Sequence, residues 1–498
     1  MDCGKLRRIV RCTLAIGVLA LGLTASTASA RGIQTGFLDP SALSTGTPVY
    51  TPAEAASRVA NNAGSQIVRL YLYWNRVALD THHAPADQSN PSNYDWNSDG
   101  LANMINAAQS QGLDVMLTIR SAPFYAQGSA HADSRGTFKP KPAMLAQFTE
   151  AATTRFSDVH IWGVWNEPNL PSFLSPQYQN GKLYSPKLYK SLLHAAAPVI
   201  HAAGGIVVAA ETAPFHFVFN GKENNPGPLK FLRALLCMEG RSHPKPACNP
   251  TPKVQADVIA THPYTSGNPW HHAVRKDDVS FGDLPLWTKL VSAAERAHHF
   301  KNKSGGSSVQ LWITEFSWDT KPPDPKAVPT GLHARWTAEA LYRAYKLGIN
   351  TLLWGQLKDY PISDRLFFGQ YQSGLFYKND AVKLSLTAFR FPFVAYAKNG
   401  HIAAWGRTPG GDPGTVKIEK KTSSGWKKVT QLSANPQGVF QKTWSSGLTS
   451  GFLRAKLTGG GSSVKFSLKR PPDKLLVLGP FGCGGQGSGN PPKPGCPA

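Results

Sequence analysis

The chain has 498 residues, 41% of them hydrophobic and 10% aromatic, so a sizeable core is within reach and disorder of the whole chain is excluded. Its 53 Lys and Arg against 30 Asp and Glu give a formal charge of +23, which points to an anionic partner without choosing among nucleic acid, membrane, wall polymer and acidic glycan. At roughly 100 to 200 residues per domain, the length allows two to four domains, or one large barrel with an appendage.

The N-terminus bears on the choice of partner. Lys5, Arg7, Arg8 and Arg11 form a basic head, Cys12 to Leu23 is apolar, and Ala28-Ser29-Ala30 is a small-x-small cleavage site. That is the pattern of an export signal over residues 1–30, with Arg31 as the first mature residue. The apolar run is short of the roughly 20 residues a spanning helix needs, so no membrane span is expected after cleavage. Losing four basic residues and Asp2 lowers the charge from +23 to +20. An exported, extracellular protein of that charge argues against nucleic acid and for an anionic cell-wall or polysaccharide surface. Cys3 and Cys12 leave with the signal, and Cys237 with Cys248 and Cys483 with Cys496 remain as local pairs. Four cysteines allow three connectivities, of which local pairing is the simplest, and an oxidising exterior lets both disulfides form. A metal site there is disfavoured, since no CxxC and no His at ligand spacing accompanies them.

From residue 32 to about 395, short β-branched runs alternate with Ala-rich amphipathic segments. The runs are Ile33 to Leu38, Gln66 to Trp74, Leu113 to Arg120, Val159 to Trp165, Ile206 to Ala210, Asp257 to His262, Val309 to Phe316 and Ile349 to Gly355. Helical spacing fills Pro52 to Ala63, Leu101 to Gln111, Pro142 to Phe156, Pro186 to Ala203, Leu286 to Phe300 and His333 to Leu347. Eight strand-then-helix units with nearly continuous apolar strands predict an α/β fold, a closed TIM (β/α)8 barrel over 31–397. A doubly wound open sheet is the rival, but Gly36-Phe37-Leu38-Asp39-Pro40 after the first strand is no phosphate-binding turn. Beyond it, brief alternating segments divided by Gly, Ser, Asn and Pro predict a small antiparallel β-sandwich over 398–470, rich in Lys, followed by a Pro/Gly-rich tail over 471–498.

Function in such a barrel sits at the carboxyl ends of the strands. Strand four ends Trp165-Asn166-Glu167-Pro168 and strand seven ends Thr314-Glu315-Phe316, so two glutamates finish strands at one rim. Cleaving a glycosidic bond needs such a pair, one to protonate the departing oxygen and one to attack or stabilise the anomeric carbon. Arg69 in strand two would keep a nucleophilic carboxylate ionised. His262 and Tyr264 after strand six could orient it, Asn166 could bond a sugar 2-hydroxyl, and Trp354 closing strand eight offers a face to a sugar ring. Trp74, Trp165, Trp270 and Trp318 lie in or beside the same loops, and Glu211 at the end of strand five is the rival carboxylate.

The segment Ile161-Trp-Gly-Val-Trp-Asn-Glu-Pro-Asn-Leu170, the later Trp312-Ile-Thr-Glu-Phe316, the strand-two arginine, His262-Pro-Tyr264 and Trp354 together resemble the clan A retaining glycoside hydrolases over residues 32 to 395. Within that clan the Trp165 to Leu170 string is most similar to glycoside hydrolase family 39. The resemblance implies that Glu167 is the general acid/base and Glu315 the nucleophile, supported by Asn166, Arg69, His262, Tyr264 and Trp354, with an oligo- or polysaccharide substrate and no cofactor. Strand three departs from the pattern, ending Ile119-Arg120-Ser121-Ala122-Pro123 with no His of the sort several members place there. The C-terminal module resembles immunoglobulin-like modules of bacterial secreted enzymes. Transglycosylation in wall or capsule remodelling, with the same residues, and noncatalytic carbohydrate binding stay open beside hydrolysis.

Overall fold

The computed structural model describes residues 31–43, 49–360 and 372–469. The export signal, the Cys483 and Cys496 pairing and the C-terminal tail lie outside the described residues.

Eight parallel strands close into one barrel: β1 (Gln34–Leu38), β2 (Ile67–Tyr73), β3 (Asp114–Arg120), β4 (Ile161–Val164), β5 (Ile206–Thr212), β6 (Val258–Thr261), β7 (Gln310–Phe316) and β8 (Thr351–Gly355). Each pairs with its neighbours in chain order, and β1 closes the ring on β8, so the open-sheet alternative is excluded. A helix follows every strand: α1 (Pro52–Ser57), α2 (Leu101–Ser110), α3 (Pro142–Arg155), α4 (Ser185–Ala202), α5 (Pro228–Leu236), α6 (Leu284–Arg296), α7 (Thr330–Lys346) and α8 (Leu384–Arg390). Local chemistry sets their starts. Thr51 and Glu54 form a reciprocal capping box at α1, with Pro52 in the first turn, where a missing N–H costs nothing.

Two helices depart from the sequence expectation. The stretch from Pro214 to Pro252, to which the sequence assigns no helix, contains α5, whose Leu229, Phe231, Leu232, Leu235 and Leu236 are buried. Its helical spacing is only nine residues long and is flanked by Pro, Gly and Cys, which hides it. The expected Cys237–Cys248 disulfide closes the loop after α5, with Cα atoms 5.4 Å apart. Helix α8 is likewise short and follows a long connection from β8.

After the barrel come β9 (Phe393–Lys398), β10 (His401–Arg407), β11 (Thr415–Thr422), β12 (Gly425–Ser433), β13 (Val439–Ser445), β14 (Phe452–Leu457) and β15 (Phe466–Ser467). They form two antiparallel sheets, β9-β10-β13 and β12-β11-β14-β15. The first strand begins at Phe393, ahead of the 398 boundary, because Phe393 pairs with Gly406 rather than ending the barrel. Among the described residues, no helix is long and apolar enough to cross a membrane.

Candidate active site

Strand alternation fills the barrel in layers. Ile67, Met116, Val208, Val258, Ala260, Trp312 and Leu353 pack its apolar lower interior. One layer nearer the carboxyl ends the inward side chains turn polar, and that change of layer is where the candidate site begins.

Arg69 is its hub. Fully buried on β2, it donates from Nε to Thr118 at 3.0 Å, from Nη1 to Glu315 Oε1 at 2.7 Å and from Nη2 to Asn166 Oδ1 at 2.8 Å, and it pairs with Glu211. Two strands carry the irregularities that aim these carboxylates. Between Ile313 and Phe316, β7 holds one residue more than β8, and between Ala209 and Thr212, β5 holds one more than β6. Such bulges re-aim a side chain that regular pleating would send elsewhere. Ala210 (φ 75°) and Glu211 (φ 41°) sit in the left-handed region, as do Trp165 (φ 67°) and Glu167 (φ 42°) at the end of β4. Non-glycine residues hold that backbone only where their surroundings over-determine it. One such tie is the Glu167 N–H donating to the Glu211 carbonyl at 3.1 Å, and another is Asn169 bridging to Ala213.

The two glutamates meet across this layer. One carboxylate oxygen of Glu167, one of Glu315 and a His262 ring nitrogen all lie within 4.8 Å of one another. His262 Nδ1 is hydrogen-bonded to Glu167 Oε1 at 2.8 Å and its Nε2 to Thr314 Oγ1 at 3.0 Å. Tyr264 donates to Glu315 Oε2 at 3.3 Å. Sequence reasoning missed Tyr71, whose hydroxyl donates to Glu315 Oε1 at 2.6 Å.

These neighbours separate the two acids. Burial pushes Glu167 above the usual carboxylate range and Glu315 adds repulsion, with the His262 bond only partly offsetting them. Burial also pushes on Glu315, but attraction to His262 and Arg69 and the Tyr71 and Arg69 hydrogen bonds outweigh it and hold that carboxyl below its ordinary value. The site therefore favours a protonated Glu167 beside an ionised Glu315. For Glu211, burial pushes the carboxyl up against the pull of Arg69 and His262. Among the described residues, Glu167, His262 and Glu315 are also the three groups close enough to share a cation. Arg69 already occupies the Glu315 oxygen facing that point, and its charge opposes a second cation there.

The rim tryptophans behave differently from expectation. Trp74 is buried and stacked on Phe148, with ring centres 4.9 Å apart. Trp318 is buried and donates to the Gly267 carbonyl. Trp354, 1% exposed, is enclosed by Phe316, Trp318, His333 and Phe389 and donates to the Ser373 carbonyl. None of the three turns a face to the cleft, because each ring is consumed in packing against the helices. Trp165 is buried in the same way, its indole N–H on the Phe173 carbonyl. Beside β1 and β2 lies a cavity of about 220 Å³ lined by Leu38, Asp39, Arg69, Tyr71, Tyr73 and Arg76 among others.

A family model described as Cellulase (glycosyl hydrolase family 5) matches residues 26–354. No curated protein matches the chain. Solved structures similar to it include the GH39 enzyme of Xanthomonas axonopodis pv. citri, at 14% identity over 83% of this chain and 91% of that one, with a TM-score of 0.43. The glycoside hydrolase family 30 subfamily 8 xylanase of Clostridium acetobutylicum is 13% identical over 84% of this chain and 96% of that one (TM-score 0.44). The GH5_18 protein of Bifidobacterium longum subsp. longum is 15% identical over 72% and 78% (TM-score 0.43).

Proposed function

Because the chain belongs to the cellulase family, glycosyl hydrolase family 5, and is a clan A glycoside hydrolase, we propose that it is a secreted enzyme that cleaves an oligo- or polysaccharide with retention of anomeric configuration. The observation that carries this reading is the approach of the Glu167 and Glu315 carboxylate oxygens to within 4.8 Å, on facing strand ends. Retaining enzymes keep the two carboxyl groups about 5 to 5.5 Å apart, whereas inverting ones leave room for a water between them.

The environments divide the labour. Glu167, held protonated by burial, gives its proton to the glycosidic oxygen while the Glu315 carboxylate attacks the anomeric carbon and forms a covalent glycosyl-enzyme. The Glu167 carboxylate left behind then takes a proton from water, whose oxygen displaces Glu315. Arg69 and Tyr71 fix the nucleophile, and Asn166, turned by Arg69 so that its Oδ1 is occupied, keeps its amide N–H groups for the sugar 2-hydroxyl.

A 2-fluoroglycoside inactivator should leave its mass on the peptide containing Glu315, and the first-formed product should keep the substrate's anomeric configuration by NMR. Glu167→Gln should lower kcat by about 10² to 10⁴ on glycosides with poor leaving groups. An inverted product overturns the reading. The Cys237–Cys248 disulfide and the N-terminal pattern support export, and the exported charge of +20 supports adhesion to an anionic wall or polysaccharide surface. Protein recovered from culture medium should begin at Arg31 and leave wall material as salt rises; retention indifferent to salt counts against adhesion.

A further inference from the structure

Directly above the catalytic layer stands a cation that has no counter-ion among the described residues. Strand β3 alternates with period two, placing Met116 in the packed lower barrel and Thr118 on Arg69. The next inward position is Arg120, in register with Tyr73. Its guanidinium lies 5.0 Å from the ring centres of both Tyr71 and Tyr73 and 4.6 Å from that of Phe173, which comes from the loop after Glu167. Those three rings hold the cation by its charge. Its one hydrogen bond among the described residues is weak, from Nε to Ser121 Oγ at 3.4 Å, and it forms no ion pair there.

The contrast with its neighbours is informative. Arg69, one layer below, is neutralised by Glu211 and Glu315, and Arg76 at the rim is paired with Asp99. Arg120 is only partly exposed, yet among the described residues its two terminal nitrogens have no acceptor. A guanidinium held among aromatic rings, with its terminal nitrogens given no acceptor by the described residues, matches an anion that accepts two parallel hydrogen bonds. The ring it covers, Tyr71, is the one whose hydroxyl holds the nucleophile, so such an anion would belong to a sugar bound in the cleft.

Resting on the retaining-glycosidase reading, we propose that Arg120 is a specificity-determining residue that selects substrates bearing an anionic substituent, a uronate carboxylate or a sulfate ester, on a sugar in the cleft. A neutral sugar leaves the fork unfilled and the half-buried charge unanswered.

The test uses oligosaccharides of the glucuronate, galacturonate and mannuronate series, each beside its carboxyl-reduced form and an O-sulfated derivative of that reduced form. Binding to the Glu167→Gln protein is measured by calorimetry, and turnover with the wild type. At least one anionic member should bind at least tenfold more tightly than its reduced form, with an advantage that shrinks as salt rises. Preference for carboxylate over sulfate, or the reverse, identifies the anion. In an Arg120→Gln background the ratio of anionic to neutral binding should fall to within about twofold of unity, and Arg120→Lys should restore part of it. A purely structural role would weaken both ligands alike and leave the ratio unmoved. Equal or better binding of the reduced forms across the panel, or a ratio unchanged by Arg120→Gln, overturns the proposal. Failure of the glycosidase reading shows separately, as wild-type protein that turns over neither form while the binding ratio stays readable.

Discussion

Glu315 receives three donors, from Arg69, Tyr71 and Tyr264, and each helps keep a buried carboxylate ionised. Of the two uncharged donors Tyr71 makes the shorter bond, and its hydroxyl can be removed without stripping the site of a charge. A hydrogen bond to a charged group is worth about 1.5–3 kcal/mol, so Tyr71→Phe should lower kcat/KM by about 10- to 100-fold. The direction with pH follows from the same bond. Tyr71 lowers the pKa of Glu315, so its loss raises that pKa and leaves less ionised nucleophile at acidic pH. The acid limb of the kcat/KM profile should therefore move to higher pH, while the alkaline limb, which the proposed mechanism assigns to Glu167, stays in place. An unmoved acid limb would show that the hydroxyl does not support the nucleophile. Tyr71 was legible in principle, since an inward Arg69 puts Tyr71 and Tyr73 on the same face of β2. The tryptophans were not: a Trp at a strand end presents the same sequence whether it packs, as Trp354 does, or stacks on a sugar.

At the level of the strands, all eight barrel segments could be read from their β-branched runs, because a strand covered on both faces has no polar alternation to obscure it. The bulges in β5 and β7 could not, because one extra residue leaves no mark in an apolar pattern. Their consequence is that Glu211, a rival nucleophile on sequence, turns onto Arg69 beneath the site and serves as its counter-charge. Gly163 on β4 is what leaves room for this. A Cβ there would lie 2.4 Å from both Glu211 Oε1 and Thr118 Oγ1, the two groups that hold the far side of Arg69. Overpacking typically costs about 1–3 kcal/mol. Gly163→Ala should accordingly lower the midpoint of thermal unfolding and, by displacing Arg69 from Glu315, lower kcat at least tenfold in protein that is still folded by circular dichroism. Full activity in Gly163→Ala would mean that the Arg69–Glu211 pair does not position the nucleophile.

Across the whole molecule, the change of composition near residue 395 suggests two units, whereas the packing joins them. Trp405 of β10, 2% exposed, lies 5.5 Å from Tyr342 and 5.3 Å from Tyr345 of barrel helix α7, ring centre to ring centre. Arg335 on the same helix covers Phe466 at 4.0 Å and donates to the Ser467 carbonyl, closing the contact at β15. On another side, Arg407 donates to Gln66, and Gln66 donates to the Gly410 carbonyl, tying the sandwich to the loop before β2. Buried side chains of barrel and sandwich belong to one continuous hydrophobic cluster, so neither can lose its partner without exposing α7. Calorimetry should accordingly show a single unfolding transition rather than one for each unit. Replacing a buried Trp by Ala costs about 3–5 kcal/mol, and with Trp405→Ala that cost should fall on the whole molecule, lowering the midpoint for loss of glycosidase activity together with the calorimetric one. Two resolved transitions, with activity following the one that Trp405→Ala leaves in place, would show that the sandwich is an appended module and that the barrel stands without it.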